Sequence, residues 1–158
     1  MIKQSIDVLA LQETHIAQNN KERREKFTWY TNDNEDSKRE FAGMAFVINN
    51  EHNKQIEDLK PHTSRIVELI LRSSAPLTIV NVYAPQSGRP EEEKEQFYQQ
   101  LKEVLSKTNK KGPILIIGDF NARLQEPEDE EEEEWIGEHT YAKGQPTTWQ
   151  QSDEMANK

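Results

Sequence analysis

Apolar residues in this chain come in short bursts, and the length of those bursts limits what it can fold into. IDVLAL (Ile6–Leu11), GMAFVI (Gly43–Ile48), RIVELIL (Arg65–Leu71), LTIVNVYA (Leu77–Ala84) and ILII (Ile114–Ile117) are the principal runs. Runs of this length, rich in β-branched residues, read as strands rather than helices. ILII has no polar member, so it is expected at the centre of a sheet, and Ile6–Leu11 reads as a strand buried on both faces. RIVELIL and LTIVNVYA are separated by Ser73-Ser74-Ala75-Pro76, a hairpin-like link that makes the pair antiparallel. Phe27–Thr31 reads as a brief aromatic strand, Lys21–Lys26 as a short surface helix, and Asn32–Glu40 as a turn-rich loop.

One stretch has a helical period. Phe97, Leu101, Val104 and Leu105 fall at i, i+4, i+7 and i+8, a single apolar stripe. Pro90 suits the first turn, where its missing N–H has no partner to lose. Glu91–Glu93 lie at the positive end of the helix dipole, and Lys107, Lys110 and Lys111 at or beyond its negative end. Gly112-Pro113 then stops the helix. A length of 158 residues suggests one domain of ordinary size.

The charge is unevenly placed. The chain carries 29 acids against 20 basic residues, a formal charge of −9. Eight of the acids crowd into Glu126 and Glu128–Glu134, so the remainder is close to neutral. Such a block is expected to be a solvated, disordered loop; a calcium-collecting or basic-partner tail would be the sharper reading, without support from spacing. From Arg123 onward there is almost no core-building pattern, and Trp135-Ile136 and Trp149 are isolated, too little for a core. Absence of cysteine excludes a disulfide scaffold, a thiolate zinc site and a cysteine nucleophile. With no signal-peptide pattern and no apolar run of membrane-spanning length, the chain is expected to be intracellular, nuclear or cytoplasmic.

Three polar groups follow apolar strands: Glu13 in LQETH, Asn81 with Tyr83 in VNVYAP, and Asp119 with Asn121 in IIGDFNA. Strand ends are rigid, and side chains there are held in place beside a loop-lined cleft. Carboxylates with an amide and a phenol form an oxygen-rich donor set, which suits magnesium and a phosphate substrate. Each residue also has a plainer account. Glu13 could cap a strand, Asp119-Phe120-Asn121 could be an Asx-turn, and Tyr83 could be a core aromatic with its hydroxyl on the backbone. His15, His52, His62 and His139 lack ligand spacing and read as surface or capping residues.

The strings LQETH, NVYAPQSG and LIIGDFNA, in this order, resemble the endonuclease/exonuclease/phosphatase superfamily. The likeness is greatest to the apurinic-type endonuclease domain of LINE-type retrotransposons, and it runs from about Ile6 to Arg123. The resemblance implies a four-layer α/β sandwich of two mixed sheets flanked by helices, and magnesium-dependent (or manganese-dependent) phosphodiester hydrolysis with DNA as substrate. It implies Glu13 as the metal ligand, Tyr83 as the phenol at the scissile phosphate, Asp119 as the carboxylate that orients the attacking water, and Asn121 as the amide that positions phosphate and water. Residues 1–125 would then be a partial domain of this kind, and 126–158 a disordered or poorly packed acidic tail.

The chain departs from the family pattern in two places. The family's first strand, ending in a metal-site asparagine, has no counterpart in the twelve residues before Glu13. The serine-aspartate-histidine string that carries the catalytic histidine has no counterpart after Asn121. The expectation is therefore a sandwich without its first strand and C-terminal half, and an endonuclease-like site with little or no activity. Losing a general acid–base group commonly costs about 10²–10⁴ in rate. A non-catalytic binding module, or another phosphatase or phosphodiesterase branch of the superfamily, are the competing readings.

Overall fold

The structure, a computed structural model, describes residues 6–16, 20–32, 43–108, 111–122 and 130–136. The chain divides into two compact units, residues 1–121 and 122–158.

The first unit holds two four-stranded sheets. One comprises β1 (Val8–Leu11), β2 (Asn20–Arg23), β3 (Phe27–Asn32) and β4 (Met44–Asn49), in the order β1-β4-β3-β2 and antiparallel throughout. The other comprises β5 (Ile56–Thr63), β6 (Ile66–Leu71), β7 (Leu77–Tyr83) and β8 (Ile114–Asp119), in sequence order. β5, β6 and β7 run antiparallel, and β8 joins β7 in parallel. The expected two-sheet sandwich is present in part: only this second sheet is mixed, and among the described residues of the first unit the only α-helix is α1 (Glu91–Lys107), packed on the mixed sheet. A parallel pair needs a crossover of a dozen or more residues, and within the mixed sheet only the β7–β8 connection supplies one, through α1.

Two layers of core result. Met44, Phe46 and Ile48 face Val67, Leu69, Ile79 and Tyr83 between the sheets. On the outer face of the mixed sheet, Ile66, Val80, Val82 and Ala84 meet Phe97, Leu101 and Val104 of α1, with Leu105 partly buried beside them. The periodic stripe of the helix is thus its buried face. α1 ends at Lys107, earlier than Gly112-Pro113 suggests, because Thr108 turns extended and returns its N–H to the Val104 carbonyl at 3.0 Å.

Further expectations are corrected. Lys21–Lys26 is not helical: Asn20–Arg23 is a strand, with Lys21 over the Tyr30 ring and Arg24 over the Trp29 ring at 5.2 and 4.9 Å. Cation–aromatic pairing across the hairpin accounts for an extended segment that has no apolar residue. Ile6–Leu11 supplies a strand, but an edge strand whose residues are only half-buried. ILII is likewise at an edge, not at a centre, and Leu115 and Ile116 are 48% and 37% exposed. Its apolarity is used from both faces of one edge, Ile117 packing toward the inter-sheet core and Ile114 toward α1. Within the acidic run, Glu130–Trp135 forms a short helix, α2, in the second unit. β5 was not legible at all: Glu57, Asp58, Lys60 and Pro61 disfavour strands, and they are tolerated because β5 is an outer strand with register shifts. Of the loop expected at Asn32–Glu40, Asn32 instead ends β3, and the remainder, with most of the acidic tail, His139 and Trp149, lies outside the described residues.

Candidate active site

The site forms where the C-terminal ends of β1, β7 and β8 come together. β7 and β8 are in parallel register, so Tyr83 stands directly beside Asp119. The Ala84 N–H donates to the Asp119 carbonyl at 2.8 Å, and Asn121 Nδ2 donates to the Ala84 carbonyl at 2.7 Å. From the facing sheet, Glu13 reaches the same place, and the Tyr83 hydroxyl donates to Glu13 Oε1. Glu13 and Asn121 thereby meet the Tyr83 phenol, and Asp119 stands beside Tyr83 in register, although the four are dispersed over more than a hundred positions of sequence.

The backbone is bent to do this. Glu13, His15 and Asn121 adopt positive φ of 51°, 52° and 47°. Asparagine tolerates this region, but for Glu13 and His15 it carries strain of order 1–3 kcal/mol, which surrounding contacts must hold in place. One such contact is the Thr14 N–H donating to the Gly43 carbonyl at 2.9 Å. Gly43 itself, at φ 107°, leaves room for the turn, since a Cβ there would run into Thr14 Oγ1.

The electrostatics keep the phenol protonated. Burial pushes the Tyr83 hydroxyl above its ordinary value of 10.0, and the Glu13 carboxylate adds to this, while polar contacts with Gln86 and Asn121 pull weakly the other way. Arg65 flanks the ring: its guanidinium lies 5.1 Å from the Tyr83 centroid and donates to the Tyr83 carbonyl at 3.2 Å. Burial lowers the Arg65 guanidinium, opposed by the charges of Tyr83, Glu93 and Glu13. Arg65 also borders a cavity of about 380 Å³ between the β5–β6 turn and α1.

The plainer accounts survive in part. Asp119 does make an Asx-turn, its Oδ1 accepting the Asn121 N–H at 2.8 Å, yet its side chain remains exposed to solvent. Tyr83 is a buried core aromatic, but its hydroxyl is bonded to a carboxylate rather than to backbone. Asn81, fully buried, turns out to be a tie between the sheets, bonding to Gln12, Leu11 and Ala45. Arg65 was missed in the sequence; its only signal is a basic residue opening an apolar strand. His62, expected as a surface or capping residue, is exposed, and its ring also lies 3.1 Å from the buried Glu68 carboxylate, to which Thr108 Oγ1 donates at 3.0 Å. That pairing depends on β5, the unread strand.

All the side chains gathered here present oxygen or amide groups. That chemistry fits a hard divalent ion held by one carboxylate and otherwise by water and substrate. Among the described residues no group of three histidines, acids or cysteines forms a closed cage. Magnesium does not require one, because it usually retains several waters.

The sequence profile of the Endonuclease/Exonuclease/phosphatase family matches residues 1–153. The chain belongs to that family, a superfamily of generally divalent-metal-dependent enzymes that hydrolyse phosphodiesters and phosphate esters. No curated protein matches the chain in sequence. Among the described residues, no helix is long and apolar enough to cross a membrane.

Proposed function

We propose that this chain is a magnesium-dependent phosphodiesterase that nicks DNA, of the kind found in the apurinic-type endonucleases of LINE-type elements, and that it works slowly. The observation that carries this is the convergence of Glu13, Tyr83, Asp119 and Asn121 on neighbouring strand ends, with the Tyr83 hydroxyl on the Glu13 carboxylate. Manganese is expected to substitute for magnesium.

Glu13 would hold the ion, which when bound polarises a phosphoryl oxygen and offsets the charge of the transition state. Tyr83, kept neutral by burial, has a proton to share. Once Glu13 is engaged, that O–H is free to turn from the carboxylate to a phosphate oxygen. Asp119, exposed at the end of β8, orients the attacking water and accepts its proton. Asn121 spends one N–H on Ala84 and offers the rest of its amide to phosphate and water. Slow turnover is expected because none of these four groups is an imidazole that titrates near neutrality.

The test is relaxation of supercoiled plasmid in magnesium by the parent, Glu13→Gln and Asp119→Asn. The expected outcome is slow nicking by the parent and a loss of at least about 10²-fold in either variant. Binding of duplex DNA without any magnesium-dependent relaxation would point to a non-catalytic binding module. Hydrolysis of small phosphate esters but not of DNA would point to another branch of the superfamily.

A further inference from the structure

The Glu13 carboxylate is set two residues beyond a half-buried edge strand of four residues, in a left-handed turn that a glutamate does not favour. Edge-strand ends fray readily, because few contacts hold them. Something must keep this one in register with Tyr83 on the opposite sheet.

Beside the Thr14 N–H on the Gly43 carbonyl, a buried amide does so from the other sheet. Asn81 is wholly inaccessible and lies on the inner face of β7, two residues before Tyr83. Its Oδ1 accepts from Gln12 Nε2 at 2.6 Å, and its Nδ2 reaches the Leu11 carbonyl at 3.2 Å and the Ala45 carbonyl at 3.4 Å. Leu11 and Ala45 are cross-strand partners, the last pair of the β1–β4 ladder before the site. One side chain of the mixed sheet thus ties down both members of the terminal pair of the other sheet, and through Gln12 it grips the residue adjoining Glu13. Ile79 and Tyr83, its neighbours on that face, belong to an apolar core. Packing alone would be served by an apolar residue, and a buried amide costs free energy unless it is bonded. What its bonds add is a fixed distance between the two sheets at the level of the site.

We propose that Gln12 and Asn81 are positioning residues for the metal ion: the pair holds Glu13 where its carboxylate can bind a divalent cation beside Tyr83. This rests on the reading of Glu13 as the metal ligand. Partners that orient a ligand in this way typically change metal affinity by about 10–100-fold when removed.

The experiment is Mn²⁺ binding by electron paramagnetic resonance on the full chain, compared with thermal unfolding of the same samples. Parent, Gln12→Leu, Asn81→Leu, the double variant and Glu13→Gln are measured. Expected are no specific binding in Glu13→Gln and about 10–100-fold weaker binding in Gln12→Leu, whose side chain is only half-buried, with the melting transition little changed. The double variant should bind no more weakly than the worse single variant, because both remove the same tie. A merely structural pair would lower the melting temperature and leave the affinity of the folded protein alone. Affinity within about twofold of the parent in Gln12→Leu, alongside loss in Glu13→Gln, overturns the positioning role only. Retained binding in Glu13→Gln, or no specific binding by the parent, overturns the metal-ligand reading and the positioning role with it. Where Asn81→Leu fails to fold, Gln12→Leu decides alone.

Discussion

At the scale of single residues, the site depends on a phenol that resists ionisation. Burial and the Glu13 carboxylate both disfavour the Tyr83 phenolate, so the folded pKa lies above the ordinary 10.0. The folded state therefore keeps this proton at pH values where an unfolded tyrosine has lost it. The resulting stability is fully present below about pH 10 and is lost as pH climbs through the raised value. Urea unfolding measured between about pH 9 and pH 11 should show stability falling more steeply in the parent than in Tyr83→Phe. Equal slopes would mean that Tyr83 titrates alike in both states. LQETH, NVYAP and GDFNA marked Glu13, Tyr83, Asp119 and Asn121 because each follows an apolar run, a local feature that spacing reveals. The Glu13–Tyr83 bond was not legible, since it joins residues seventy positions apart across two sheets. Nor was the left-handed backbone at Glu13, which tertiary contacts impose against the residue's own preference.

At the scale of elements, the strands read from apolar runs were found and β6 and β7 pair antiparallel as their short link suggests, but β1 and β8 lie at edges rather than in the buried places their apolarity suggests. Composition reports how apolar a strand is, whereas its position depends on the crossover that delivers it. β8 reads as a central strand yet lies at an edge, and its link to β7 turns on one glycine. Gly118 has φ 140° and passes so close to Val82 that a Cβ would collide with the Val82 carbonyl. Gly118→Ala should therefore cost about 2 kcal/mol or more, measured by chemical unfolding. Gly88, with nothing near its missing Cβ and no positive φ, is the matching control, and Gly88→Ala should stay within about 0.5 kcal/mol. The strain would also be felt one residue later, at Asp119, so Gly118→Ala should lower nicking more than its stability loss alone explains. A Gly118→Ala protein as stable as the Gly88→Ala control would show that β7 and β8 can separate without penalty. The same dependence on neighbours hid β2 and β5: both are polar sequences made into strands by the partners they pair with.

At the scale of the whole molecule, the balance of charge opposes the proposed substrate. DNA binding draws on cations that displace counterions from phosphates, and this chain has a formal charge of −9. Nearly all of that excess comes from Glu126 and Glu128–Glu134, a sequence property that holds wherever the segment lies. A negative field of this kind slows encounter with a polyanion and weakens the complex, through space and without contact. Salt screens such repulsion, since the Debye length shrinks from about 10 Å at 0.1 M to about 3 Å at 1 M. Replacing Glu128 and Glu130–Glu134 by glutamine should therefore raise affinity for a labelled duplex several-fold at about 50 mM salt, with the two proteins converging as salt approaches about 0.5 M. The variant should also show the steeper decline of log K with log salt, because its attraction to phosphate is no longer offset by repulsion. Fluorescence anisotropy across a salt series checks both. If parent and variant bind alike at low salt, the acidic run does not act on the nucleic acid, and what limits binding lies at Arg65 and the strand ends that carry the site.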